Sequence, residues 1–139
     1  MVTFDLEPPS VDAWADAYRR DVEEGRYHLL VAEDDGGIEG YVRTTEYREK
    51  PAYATSVQTS IYCAPTATGR GVGRALYEAL FASLGDGGFH RALAAIALPN
   101  PASVALHERF GFVHRGTLTE VGHKLGRYWD VGWWERPLP

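Results

Sequence analysis

The sequence predicts a mixed α/β domain built on one central sheet, and three observations carry that prediction. Apolar residues recur at two periods, alternating along some stretches and spaced by three or four along others. The segment "RALAAIAL" (91–98) is an unbroken apolar run of strand length, as a central strand buried on both faces requires. A glycine-rich turn, "TGRGVG" (68–73), separates a strand pattern from a helix pattern. With 139 residues the chain suffices for one domain with a real core and not for two, so residues 1–139 are read as a single domain.

The elements follow in order. "SVDAWADAYRRDVEEG" (10–25) predicts a helix with Val11, Trp14, Tyr18 and Val22 on one face, Ser10 as N-cap and Gly25 as stop. "YHLLVAE" (27–33) and "IEGYVRTTEY" (38–47) predict two strands around the turn "DDGG". "AYATSVQTSIYC" (52–63) reads as a long third strand, with Tyr53, Val57 and Ile61 on one face and Ser56, Gln58 and Ser60 on the other. Val72, Leu76, Leu80 and Leu84 recur every fourth residue and predict a helix ending near Gly85. After the strand 91–98, "PNPASVALHERFG" predicts a short helix with Asn100 as N-cap, Pro101 at the first turn and Gly111 at the end. "FVHRGTLTEVG" (112–122) and "GRYWDVGWWE" (126–135) complete the sheet as two strands around a glycine-containing turn.

Composition excludes several classes of function. A net charge of -5 with no lysine or arginine cluster argues against nucleic acid as a partner. No apolar run approaches the ~18 residues that cross a bilayer, so no membrane partner is expected. One cysteine, Cys63, precludes an internal disulfide and suits a reducing, cytoplasmic setting. The five histidines are scattered without metal-ligand spacing, so no metal is expected.

Gly69, Gly71 and Gly73 open the second helix. Neither GxxxxGK[ST] nor GxGxxG fits them, which leaves strand, glycine turn and helix N-terminus, with Arg70 and Arg74 beside it. Such a turn is either a cradle for a pyrophosphate or a tight corner and nothing more. Asn100 and His107, seven residues apart, share one face of the next helix. That helix follows the buried strand, so its start belongs at the same end of the sheet as the glycine turn. Two such junctions side by side make a cleft.

Together the residues Thr68 to Gly73, the stretch "LPNPASVALHERFGF" and the stretch "GHKLGRYWDVGWWE" resemble the GCN5-related N-acetyltransferase family, in its phosphinothricin-type branch. The likeness runs from Val2 to Glu135. Both family glycines of the loop match at Gly71 and Gly73 within the pattern, while Thr68 stands where Gln or Arg is usual. The resemblance implies a mixed central sheet and acetyl-CoA lying in a splay between the third strand, at Ile61, Tyr62 and Cys63, and the strand 91–98. It implies main-chain amides of Arg70, Gly71, Val72, Gly73 and Arg74 on the pyrophosphate, with Asn100 and Ser103 on the pantetheine arm. Beside these roles, Cys63 reads as a small packing residue rather than a nucleophile.

The reaction so implied is attack of a small amino-acid-like amine on the thioester, in a homodimer, with an amide of the third strand facing the oxyanion. His107 is the implied acid for the departing thiolate, or an acceptor for the amine's proton. Lys124, Arg127 and Tyr128 are the implied contacts to the acceptor's carboxyl or phosphinyl group. Asp130 reads as a residue that pins the neighbouring turn.

Two departures qualify the expectation. Gln58 stands where the branch usually has a glutamate base, and an amide takes no proton at useful pH. An amine of pKa near 10.4 is only roughly 0.04% neutral at pH 7, so a base matters; three ways stay open: a low-pKa amine, a relay through water to His107 or Glu46, or slow turnover. The resemblance also implies a strand and helix ahead of "VTFDLEPPSVDAW", which the sequence lacks. An acyl-CoA-binding domain with little turnover is the alternative these departures support; an unrelated phosphate-binding module would have the glycine loop alone in its favour.

Overall fold

The computed structural model describes residues 3–67 and 69–139. Its elements are α1 (Val11–Tyr18), β1 (Leu29–Asp34), β2 (Gly37–Glu46), β3 (Ser56–Cys63), α2 (Val72–Leu84), β4 (Arg91–Leu98), α3 (Pro101–Arg109), β5 (Val113–Lys124) and β6 (Arg127–Pro137). The strands form one mixed sheet in the order β1-β2-β3-β4-β6-β5. All neighbours are antiparallel except β3 and β4, whose parallel pairing carries the chain across the sheet through α2. The expected mixed central sheet is present, with β1 as an outer strand among the described residues.

Side-chain alternation divides the sheet into two working faces. Val42, Val57, Ala92, Ala94 and Ile96 point to one face and are buried with Leu76, Tyr77 and Leu80 of α2 and with Phe112. Fully burying each of the valine, leucine, isoleucine and phenylalanine side chains among them contributes about 1.5–3 kcal/mol. α3 packs on this same face, since His107 meets Tyr77 edge-on at 5.2 Å between ring centroids. The other face carries Tyr41, Arg43 and Tyr62 and is covered in part by α1, whose Trp14 meets Tyr41 edge-on.

Three expectations change. The first helix is capped by Ser10, whose hydroxyl accepts from the Ala13 amide, but after Tyr18 it continues only as a π turn over Arg19–Glu23. Val11 is 84% exposed, so the apolar spacing did not mark a buried face; α1 touches the sheet chiefly through Trp14. The third strand begins at Ser56 rather than Ala52, because Pro51–Tyr53 forms a 3-10 turn that its proline favours. The apolar strand β4 is buried on one face only: Ala92, Ala94 and Ile96 are covered, while Ala95 is exposed.

A candidate active site where two strands part

β3 and β4 pair only at Ser56–Arg91, Val57–Ala92 and Gln58–Leu93. Beyond that point the two strands continue without a shared ladder, and a cavity of about 410 Å³ occupies the gap. Thr59 to Cys63 line it from one strand, Ala95 to Ala97 from the other, and Asn100, Ser103, Leu106 and His107 of α3 close the end. The exposure of Ala95 is thereby explained: its short side chain borders the opening instead of packing. Residues of both sheet faces line the gap, so it passes from one side of the sheet to the other.

The glycine turn stands at the mouth of this gap. Gly69 and Gly71 have φ of 81° and 78°, values that a side chain opposes. Gly71 caps α2, and the amides of Gly71, Val72, Gly73 and Arg74 have no acceptor among the described residues. Four converging N–H groups at the positive end of a thirteen-residue helix make an anion cradle. Each hydrogen bond from such a group to a charged acceptor contributes about 1.5–3 kcal/mol. Gly73 has another reason to be small: a Cβ there would stand 3.0 Å from Leu106 Cδ2, so its lack of a side chain lets α2 and α3 approach.

Arg70 departs from its expected place. Its amide donates to the Ala67 carbonyl, and its guanidinium pairs with Glu39 at 2.6 Å and Asp34 at 3.6 Å. It ties the loop to the β1–β2 hairpin and does not line the cavity. Arg74 does line it, with its Nε held by Glu78 at 2.8 Å. The cavity thus gathers Ile61, Tyr62, Cys63, Gly71, Val72, Gly73, Arg74, Asn100, Ser103 and His107 of the expected set.

His107 is 3% exposed and both its ring nitrogens are engaged. Nδ1 lies 2.7 Å from the Ser103 carbonyl, which can only accept, so Nδ1 carries the proton. Nε2 therefore accepts from the Tyr77 hydroxyl at 2.7 Å, and Tyr77 accepts in turn from Thr59 Oγ1 at 3.1 Å. Burial holds the imidazole below its ordinary pKa, opposed by the bond to Ser103. Burial likewise raises the Tyr77 hydroxyl far above the usual phenol range. The chain Thr59–Tyr77–His107–Ser103 fixes β3, α2 and α3 around the gap, and leaves His107 neutral with no free nitrogen.

Asn100 accepts from the Ser103 amide at 3.2 Å and so caps α3 while lining the cavity. Burial raises the Cys63 thiol pKa, which keeps it protonated and a poor nucleophile.

A second cavity, of about 580 Å³, lies on the α1 face and shares Tyr62 with the first. Trp14, Tyr41, Arg43, Lys124 and the segment from Thr3 to Pro9 line it. Lys124 Nζ donates to the Thr3 carbonyl at 2.8 Å and to that of Asp5. The Phe4 ring lies against Gly122, where any Cβ would overlap it. Arg127 and Tyr128 stand away from both cavities: Arg127 stacks on Trp129 at 3.9 Å and Tyr128 is 60% exposed. Asp130 accepts from the Glu120 amide at 2.8 Å and pins a β5 bulge in which Glu120 has φ of 51°. Gln58 lines neither cavity; it sits at the last rung of the β3–β4 ladder, its side chain on the face opposite Thr59 and the His107 network. Among the described residues no cluster of histidine, cysteine and acid could hold a metal.

A model of the acetyltransferase (GNAT) family matches residues 2–112. The chain belongs to that family. It is 52% identical over 139 residues to a phosphinothricin N-acetyltransferase of Streptomyces coelicolor, covering 99% of this chain and 81% of the relative. An L-methionine sulfoximine/L-methionine sulfone acetyltransferase of Pseudomonas paraeruginosa is 37% identical over 120 residues, covering 86% and 67%. A phosphinothricin acetyltransferase of Sinorhizobium meliloti, solved in complex with acetyl-CoA, superposes with a TM-score of 0.89 at 35% identity, covering 99% and 74%. The protein is an N-acetyltransferase.

For this acetyltransferase, sequence reasoning overlooked Tyr77, Arg43 and Trp14 as site residues. Tyr77 lies next to Leu76 and outside the every-fourth-residue repeat, and its hydroxyl finds His107 thirty residues away. Arg43 carries no local signal: it is one of three charged residues of β2, with Glu39 and Glu46.

Proposed function

We propose that this enzyme transfers the acetyl group of acetyl-CoA to the amine of a small amino-acid-like acceptor. The observation that carries this reading is the gap between β3 and β4, with an amide cradle at one end and the second cavity at the other. Acetyl-CoA supplies an activated thioester, and the residues present fit it. The amides of Gly71 to Arg74 suit its pyrophosphate, and the unladdered edges of β3 and β4 suit the amide groups of its pantetheine arm.

The chain's own groups then divide the work. An N–H of β3 beyond Gln58, left without a β4 partner, would supply the donor that polarises the thioester carbonyl. Asn100 orients the arm from the start of α3. His107 acts as a positioning residue, holding α3 to α2 through Tyr77, and proton transfer falls to water and the acceptor itself. Gln58, without a basic atom, leaves the acceptor to arrive as free amine. The acceptor class rests on the names of relatives that acetylate phosphinothricin and methionine sulfoximine.

We also infer a cytoplasmic homodimer. No described helix is long and apolar enough to cross a membrane, and the β5–β6 hairpin exposes Leu118, Val121 and Leu125 at 51%, 58% and 74%. Light scattering on the eluted protein gives the mass of two chains if this holds, and of one if it does not.

Thiol release from acetyl-CoA, followed with L-phosphinothricin, L-methionine sulfoximine and simple alkylamines, tests the reaction. Acid-bearing acceptors are expected to be preferred, at a rate that rises with pH toward the acceptor's own amine pKa. Saturable acetyl-CoA binding without thiol release for any of these amines would sink the acceptor assignment.

A further inference from the structure

Arg43 stands on β2 opposite Ser60, and its guanidinium lies 4.8 Å from the centroid of the Trp14 ring. It lines the second cavity, and its Nε is buried without a hydrogen-bond acceptor. Among the described residues no carboxylate pairs with it. The two arginines of the glycine loop differ on this point, each having a glutamate partner. An Nε–H shut off from water with no acceptor is costly to keep, so a partner from outside the fold is the natural explanation.

We propose that Arg43 receives the acid group of the acceptor, a carboxylate or phosphinate, and so selects acidic amines; this rests on the acetyl-transfer reading above. A guanidinium presents a planar fork that matches either oxyanion in two parallel hydrogen bonds. Contact with the Trp14 ring holds that plane in place before the acceptor arrives. Tyr62 lines both cavities, so an acceptor anchored at Arg43 extends past Tyr62 toward the gap at Ser60, where its amine meets the thioester. The other cation of the cavity, Lys124, is already committed to two carbonyls. Asp5 and Glu7 of the N-terminal segment also line it, so the cavity carries both signs, as an amino acid does.

The test is calorimetric binding to enzyme saturated with coenzyme A, which needs no turnover. L-phosphinothricin, its α-carboxamide and L-methionine sulfoximine are titrated into the wild type, R43Q and R43K. R43Q is expected to weaken L-phosphinothricin at least tenfold while changing coenzyme A affinity less than twofold. R43K, which keeps the charge and the stem over Trp14, is expected to recover part of the loss. If the carboxamide binds the wild type well and R43Q poorly, the phosphinate is the contacted group. If the carboxamide binds weakly and R43Q makes no difference, the group is the α-carboxylate, and L-methionine sulfoximine then shows the tenfold loss. The proposal is overturned if R43Q and R43K both bind L-phosphinothricin as the wild type does, if both weaken coenzyme A to the same extent, or if the wild type binds none of the three. Binding without acetyl transfer would overturn the reaction and leave the role of Arg43 standing.

Discussion

The two ends of the gap are built from different materials. At the end proposed for the donor the groups on offer are main-chain amides, set by two glycines with positive φ and the start of α2. At the end proposed for the acceptor they are side chains from five separate parts of the chain: the N-terminal segment, α1, β2, β3 and β5. A backbone site is rigid and indifferent to most substitutions near it. A side-chain site changes its ligand with one residue. One fold can therefore keep a single donor and vary its acceptor.

The largest effect expected from a single change lies between the two ends. Gln58→Glu restores a basic atom at the fork, and general-base catalysis is worth about 10²–10⁴-fold; a gain of about a hundredfold in kcat/KM at pH 7 is expected with an unreactive, high-pKa amine. No gain would show that the proton leaves by a path that bypasses residue 58.

At the donor end, Gly71→Ala forces a side chain into φ of 78° and is expected to lower acetyl-CoA affinity about tenfold by calorimetry, with acceptor binding unchanged. Gly73→Ala sharpens the contrast within the loop. Its Cβ would crowd Leu106 Cδ2, the flexible end of a side chain on α3, and alanine favours a helix by about 0.8–1 kcal/mol; the two effects oppose, so melting temperature should shift little.

The network around His107 predicts a pH signature in stability rather than rate. The ordinary value is 6.5, and burial holds the folded group below it. Above pH 6.5 the imidazole is neutral in folded and unfolded chains alike and contributes no slope. Below it the unfolded chain binds a proton that the folded protein refuses, so stability falls as pH falls, by at most about 1.4 kcal/mol per pH unit. Melting curves from pH 7.5 to 5 should show a shallower decline in His107→Gln than in the wild type. The smallest effect belongs to the hairpin tip: Arg127→Ala should leave both substrate affinities within twofold, and a tenfold loss would return Arg127 to the acceptor site.

The donor end was legible in the sequence because its demands are local. Alternate glycines before a helical repeat state a backbone conformation without reference to the rest of the chain, and Asn100 and His107 fall on one helix turn pattern. What the sequence hid depends on register. Arg70 looked like a phosphate ligand beside the loop, and only the β1–β2 hairpin shows that Glu39 and Asp34 claim it. Arg43 became visible once β2 was aligned with β3 and α1 was laid across both. The third strand was drawn four residues too long because Tyr53, Val57 and Ile61 keep a strand-like spacing through a 3-10 turn.

Residues 3–9 form one wall of the acceptor cavity yet belong to no helix or strand. They are held by the Phe4 ring on Gly122 and by Lys124 on two carbonyls. So lightly fastened a segment melts long before the core packed under α2 and α3. If that cavity takes the acceptor as proposed, warming is expected to blunt the choice of amine first, over a span of temperature in which the thioester is still held.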